Sequence, residues 1–295
     1  MTDNYLTTGN PTVSIMIPWD CKNNCPFCVS KKEYQTYRMD VDRVKNSLDK
    51  MLRNNYWCDV VFTGGEPLAN LSELNNLLNI VKIKQTDNKN RHHVYINTSL
   101  PPSSTAEFGR LCSWLKENES YIDGLNISHH LKNWTHTSDD FDEKLEILNE
   151  LTSVRLNCVL YGNPTRVEIV DYINKYAYNY NYKIQFRKDY TTVTEENLYD
   201  FNSDKYYQLF KELSEEVKCP NVKIEGSNFR WNYRFLPNCS YHVTLPYSTI
   251  EVMNEGEYYQ HINDIIIRPN GDITTDWNEY GEILDIEKWR SRERL

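Results

Sequence analysis

The sequence predicts an α/β protein, a partial (β/α)6 TIM-like barrel carrying a C-terminal α+β extension. Two observations predict it. Over roughly the first 190 residues, short β-rich apolar runs alternate with helix-length amphipathic stretches, the pattern of right-handed βαβ units around a parallel sheet. After Tyr190 the alternation gives way to one charged helical stretch and several short β-like pieces. The strands are expected at 13–17, 59–62, 93–96, 125–128, 154–160 and 183–186, and the helices at 41–54, 71–84, 104–117, 140–151 and 166–178. In the first helix Val41, Val44, Leu48, Met51 and Leu52 recur at three- and four-residue spacing, which marks one buried face. Ser104 and Ser138 precede helical stretches as expected N-caps. Six strands are too few for a closed eight-stranded barrel and suit an open one, with a doubly wound sheet as the competing arrangement. In both, chemistry belongs at the C-terminal ends of the strands. The expected division is a barrel over 11–190 and an extension over 191–295 that packs on it. That extension begins with a helix over 195–218 and ends in a hairpin, 262–268 and 273–277, turning at Pro269-Asn270-Gly271-Asp272.

Composition narrows the classes. The chain has 295 residues with 33 Lys and Arg against 42 Asp and Glu, a formal net charge of −9. The acidic balance argues against a protein that coats a nucleic-acid backbone, though a local basic groove is compatible with it. The longest purely aliphatic run, 265–267, is far short of a membrane span, and the first ten residues are polar rather than a secretory leader. A cytoplasmic location is the expectation, and there clustered cysteines serve more often as metal ligands or redox groups than as disulfides.

Three of the eight cysteines fall within eight residues. Cys21, Cys25 and Cys28 follow the first strand with the spacing C-x3-C-x2-C. Three thiolates on one short loop suit three corners of a [4Fe–4S] cube and leave the fourth iron open to an outside chelator. A zinc knuckle would want a fourth Cys or His at matching spacing. The second strand runs into Thr63-Gly64-Gly65-Glu66-Pro67, whose glycines permit close backbone approach. An ordinary strand-to-helix turn would also use Gly-Gly and Pro.

With Phe27 before the last cysteine, this loop resembles that of radical S-adenosylmethionine (radical SAM) enzymes. The resemblance covers about residues 11–190. It implies that Cys21, Cys25 and Cys28 hold a [4Fe–4S] cluster, and that S-adenosyl-L-methionine (SAM) is the second cofactor. The Gly64-Gly65-Glu66 segment would meet the SAM ammonium, with Glu66 as an acceptor. Asn97 and Thr98 at the end of the third strand, Ser128 and His130 at the end of the fourth, and Phe27 are implied to face SAM as well. The fifth strand, Val154 to Asn163, resembles that of the GTP cyclase of molybdenum-cofactor biosynthesis, and assigns Asn157 a SAM contact. Arg187, ending the sixth strand, is implied to shape the substrate pocket and is a candidate for an anionic group.

The extension departs from the cyclase. Only Cys219 and Cys239 fall there, too few for a three-cysteine second cluster. The hairpin around 265–277 resembles that of the twitch and SPASM extensions of peptide-modifying relatives, with Thr274-Thr275-Asp276 where those carry a cysteine. Cys58 and Cys158 lie in strands as small core residues, and His92-His93 sits at a strand entrance. The implied function is reductive cleavage of SAM to a 5′-deoxyadenosyl radical that takes hydrogen from a peptide or small molecule. The alternatives are a nucleotide or nucleic-acid substrate, and a non-catalytic iron–sulfur or zinc scaffold. The implied partners are the substrate and a one-electron donor such as flavodoxin or ferredoxin, with no membrane. The catalytic side chains are not identified from sequence.

Overall fold

The computed structural model describes residues 5–18, 21–28, 38–54, 58–88, 92–132, 138–246, 249–254, 257–275, 277 and 283–284. Its centre is one twisted sheet. The six expected strands are β1 (Tyr5–Ile17), β2 (Asp59–Gly64), β3 (His93–Thr98), β4 (Gly124–Ser128), β5 (Val154–Val159) and β6 (Lys183–Arg187). They pair in parallel, each with the next. The helices between them are α1 (Val41–Asn54), α2 (Leu71–Asn88), α3 (Thr105–Glu117), α4 (Phe141–Leu151) and α5 (Arg166–Ile173). α5 continues as a π-helical turn over Asn174–Asn179.

The extension does not simply rest on this sheet; it continues it. After α6 (Lys205–Glu216) come β7 (Lys223–Gly226), β8 (Arg230–Leu236), β9 (Cys239–Thr244), β10 (Thr249–Asn254), β11 (Glu257–Ile267) and β12 (Ile273–Thr274). β9 pairs in parallel with β6 and β11 in parallel with β1, so the sheet order is β10-β11-β1-β2-β3-β4-β5-β6-β9-β8-β7. Eight neighbouring strands therefore run parallel. The physical reason is the edge: the outer strands of a six-stranded half-barrel leave rows of unpaired N–H and C=O groups, and the extension caps both rows.

Side chains alternate across the sheet. One face carries Val13, Ile15, Ile17, Val60, Phe62, Val94, Ile96, Leu125, Ile127, Leu156, Cys158 and Phe186, all buried against the helices. This layer is the hydrophobic core, and Cys58 and Cys158 belong to it as expected. Among the aromatic residues, Phe210 of α6 stacks on Phe235 at 4.3 Å and Phe186 at 5.1 Å, which fixes the extension to the barrel wall.

Local chemistry explains where the elements begin. Ser104 and Glu107 form a capping box at the start of α3, and Thr165 and Glu168 form one at the start of α5. Three expectations are corrected. Ser138 does not cap α4: Asp140 occupies that position without a side-chain cap bond. The helix expected over 195–218 starts only at Lys205, because Asp204 accepts the N–H groups of Tyr206 and Tyr207. Glu195 and Glu196 therefore lie in a turn instead of at a helix start. The expected hairpin turn forms, with Gly271 at φ +84° and its α-carbon against Arg43, where a β-carbon would stand 2.5 Å from the Arg43 Cβ.

His92 gives a test of this packing. It is buried at the entrance of β3 with Nδ1 3.2 Å from the Cys58 thiol, and burial, reinforced by His93, holds it down at about 4. The unfolded chain takes up that proton near the ordinary value of 6.5, so the stability is present above pH 6.5 and is lost as pH falls toward 4. The expected cost between pH 6.5 and pH 5 is about 2 kcal/mol from this residue. Urea unfolding at pH 7 and pH 5 checks it: His92→Leu should lose stability less steeply, and equal slopes would refute the assignment.

Candidate functional site

The other face of the sheet lines a cavity of about 510 Å³ at the strand C-termini and within the barrel. An ordinary barrel interior is filled with branched apolar side chains. This one carries many polar side chains, because the inward positions of successive strands include Thr12 and Ser14, Thr63, Asn97, Asn126 and Ser128, Arg155 and Asn157, Gln185 and Arg187, beside Val61, Tyr95 and Val159. Every residue that the sequence assigned to the cluster or to SAM lines this one cavity: Cys21, Cys25, Cys28, Phe27, Gly64, Gly65, Glu66, Asn97, Thr98, Ser128, His130 and Asn157.

The cysteine loop follows β1 and closes with a turn in which the Cys28 N–H donates to the Cys25 carbonyl at 3.1 Å. All three cysteines are half-buried. Among the described residues no three Cys, His, Asp or Glu side chains converge as ligands of a single ion would. Thiolates on separate corners of a cube stand farther apart than that. The Gly64-Gly65 turn is tied to the same strand end, with the Gly65 N–H donating to the Ile17 carbonyl. Gly64 has φ +109°, and a β-carbon there would sit 2.5 Å from that carbonyl oxygen. Only glycine lets this turn reach the root of the cysteine loop.

Glu66 is 3% exposed, and its carboxylate accepts four hydrogen bonds. One oxygen takes the Leu68 N–H at 3.2 Å and the Thr98 hydroxyl; the other takes the Ser99 N–H at 2.9 Å and the Ser99 hydroxyl at 2.8 Å. Burial pushes its carboxyl up, and these donors oppose the shift. The carboxylate thus locks the end of β3 to the turn after β2. That role is visible only in three dimensions, and an ammonium approaching Glu66 would have to share an already filled acceptor.

Asn97 sits in a ladder, accepting from Asn126 at 2.8 Å and donating to Thr63 at 3.2 Å. His130 accepts the Val159 N–H on Nδ1 at 3.1 Å and meets the Phe27 ring edge-on at 4.9 Å. Burial holds His130 down to about 3, so the ring is neutral and joins the cysteine loop to β5. Asn157 differs: it is 7% exposed and its side-chain oxygen has no donor among the described residues. A buried acceptor left open in a cavity is complementary to a ligand that brings a donor. With the three-thiol loop, it makes the residues present fit a cluster and a nucleoside-bearing cofactor.

Sequence reasoning missed Asp59, Tyr95, Arg155, Gln185, Arg230, His242 and Asp264, which also line the cavity. The available signal was the polar half of each strand's two-residue alternation, masked by its apolar half. Cys239 is buried at the start of β9 and is not among the lining residues. Asp276 lies outside the described residues.

Comparison with known proteins gives concordant results. The family model of the Radical SAM superfamily matches residues 20–175, just over half of the chain. The chain is 32% identical over 79 residues to the Probable dual-specificity RNA methyltransferase RlmN of Parabacteroides distasonis, a match spanning 26% of this chain and 23% of that protein. Native anSMEcpe with bound AdoMet and the Cp18Cys peptide aligns over 97% of this chain and 76% of its own, at 18% identity and a TM-score of 0.50. A histidine-tagged form of anSMEcpe with bound AdoMet aligns over 90% and 74%, at 15% identity and a TM-score of 0.51. At such identities the likeness is one of fold.

Proposed function

Because the chain belongs to the radical SAM superfamily and is an enzyme that uses a [4Fe–4S] cluster and SAM, we propose that it acts by hydrogen abstraction from a small molecule or peptide held inside the barrel. The observation that carries this reading is a single cavity lined by all three loop cysteines, by Asn157 with its open acceptor, and by a polar interior beneath them. When bound, the two cofactors supply one-electron reductive cleavage of SAM and a 5′-deoxyadenosyl radical. The protein's share is positional. Cys21, Cys25 and Cys28 would hold the cluster and Asn157 would accept from SAM, while Phe27 and His130 brace the cysteine loop against β5. Glu66 holds the strand ends that form the SAM-facing rim. A substrate seated inside the barrel would displace water and stray hydrogen donors from around the reacting carbon.

Among the described residues no helix is long and apolar enough to cross a membrane. A soluble one-electron donor of the flavodoxin or ferredoxin kind is the proposed partner. The local match to an RNA methyltransferase covers too little of either chain to set the substrate, and a cavity of about 510 Å³ suits a small group better than a polynucleotide.

The test is anaerobic reconstitution with iron and sulfide, reduction with dithionite, addition of SAM and quantification of 5′-deoxyadenosine. Product above the level of a cluster-free control is expected. Absence of both SAM binding and product from a protein that holds its cluster would refute the reading.

A further inference from the structure

Three arginines line the barrel interior from three different strands: Arg155 on β5, Arg187 on β6 and Arg230 on β8. Among the described residues none of the three guanidinium groups makes a hydrogen bond or an ion pair, and the Arg155 Nε is buried without a partner. The carboxylates on the cavity wall are Asp59, Asp264 and Glu66, and Glu66 is consumed by its own four donors. The remaining lysine, Lys188, is paired with Asp204 at 2.9 Å. The lumen therefore carries three guanidiniums and three carboxylates, and among the described residues none of these guanidiniums is within ion-pair distance of a carboxylate.

The three arginines lie close enough to disturb one another. Burial and then Arg187 bring Arg155 down to about 10, opposed by Tyr95 and Asp59. Burial also lowers Arg187, with Asp264 opposing and Arg230 assisting. His242 lies among them, held neutral by burial and by all three guanidiniums. Unpaired, partly desolvated like charges oppose folding. A fold that carries them in a cavity without hydrogen-bonded partners leaves their donors open to a ligand that accepts them.

We infer that the lumen receives an oxyanion: the substrate carries a phosphate or carboxylate group that docks on Arg155, Arg187 and Arg230. This inference rests on the proposed function for the position of the chemistry, but not for the binding itself. The planar guanidinium fork matches two oxygens of either group. Arg155 precedes Asn157 by two residues on the same face of β5, about 7 Å nearer the strand's N-terminal end. The anion is thus held deeper than the open acceptor of Asn157, and docking it sets which carbon faces the cofactor end of the cavity. Arg187, Arg230 and His242 lie beyond residues 20–175, the part that the family model matches.

The experiment titrates the reconstituted, SAM-loaded full-length protein with sodium phosphate, sodium acetate and sodium chloride at equal ionic strength, reading melting temperature and calorimetric binding. Phosphate or acetate should bind and raise the melting temperature where chloride does not. The stronger of the two then assigns the group as phosphate or carboxylate. Arg187→Gln and Arg230→Gln should each weaken that binding about tenfold or more while SAM affinity stays within about twofold. Without added oxyanion both variants should melt no lower than the parent, because repulsion is relieved. The inference is overturned if neither oxyanion outperforms chloride, if the variants bind like the parent, or if SAM affinity falls in step with oxyanion affinity, which would place the arginines in the SAM site. Arginine-dependent oxyanion binding by a protein that neither binds nor cleaves SAM would leave the pocket standing and refute the proposed function instead.

Discussion

Cys25→Ala should yield a folded protein that holds no four-iron cluster and forms no 5′-deoxyadenosine above blank. Position separates the two consequences. Cys25 is half-buried on a loop outside the hydrophobic core, and the core strands and helices pack without it. Its replacement should change the stability of the cluster-free protein by no more than about 0.5 kcal/mol. The cluster, in contrast, loses one of three protein thiolates, and a cube held at two corners is not retained. Iron and sulfide analysis of the reconstituted variant, beside its apo melting curve, separates the two effects. A variant that keeps four irons per chain would show that the loop does not hold the cluster through Cys25; a collapsed apo melting curve would show that the loop is structural.

The second large effect belongs to Glu66, and here the conservative replacement is expected to be nearly as damaging as the drastic one. Each carboxylate oxygen receives one backbone N–H, from Leu68 on one side and from Ser99 on the other. Neither backbone group can turn around. In Glu66→Gln the side-chain amide must point its NH2 at one of them, whichever way it is flipped, so a buried donor faces a donor. Glu66→Ala leaves both without an acceptor. Either change should cost about 3 kcal/mol, or roughly 6–10 °C in melting temperature for a chain of this size. SAM affinity should fall with it, because the rim at the ends of β2 and β3 loses its lock. Ser99→Ala, which removes one hydroxyl and spares the backbone donor, should cost about 1 kcal/mol. If Glu66→Gln melts like the parent, the four-donor network does not carry the rim.

Much of this was legible in advance because its signals are local. The six strand–helix units follow from two-residue and 3.6-residue periodicities, each contained in about a dozen residues. The cluster loop and the Gly64-Gly65-Glu66 turn are contiguous motifs at predicted strand ends, and they meet because parallel strands start and stop together. The capping boxes at Ser104 and Thr165 explain helix starts, although Ser104 alone was foreseen. Asp204 was not, since its capping role depends on a site also shaped by Lys188 and Tyr241, which are far away in sequence.

By itself, then, the sequence determined the α/β class, the order of the barrel units and the chemistry of its open end, all set by spacing along the chain. Tertiary structure alone decided that β9 and β11 join the parallel sheet at opposite edges, since edge pairing satisfies backbone groups that no side-chain pattern records. It also decided that Glu66 is a structural lock and that Arg155, Arg187 and Arg230 share one lumen. The last two depend on which faces of distant strands turn inward together. That is fixed by sheet register and closure, where electrostatics act through space and not along the chain.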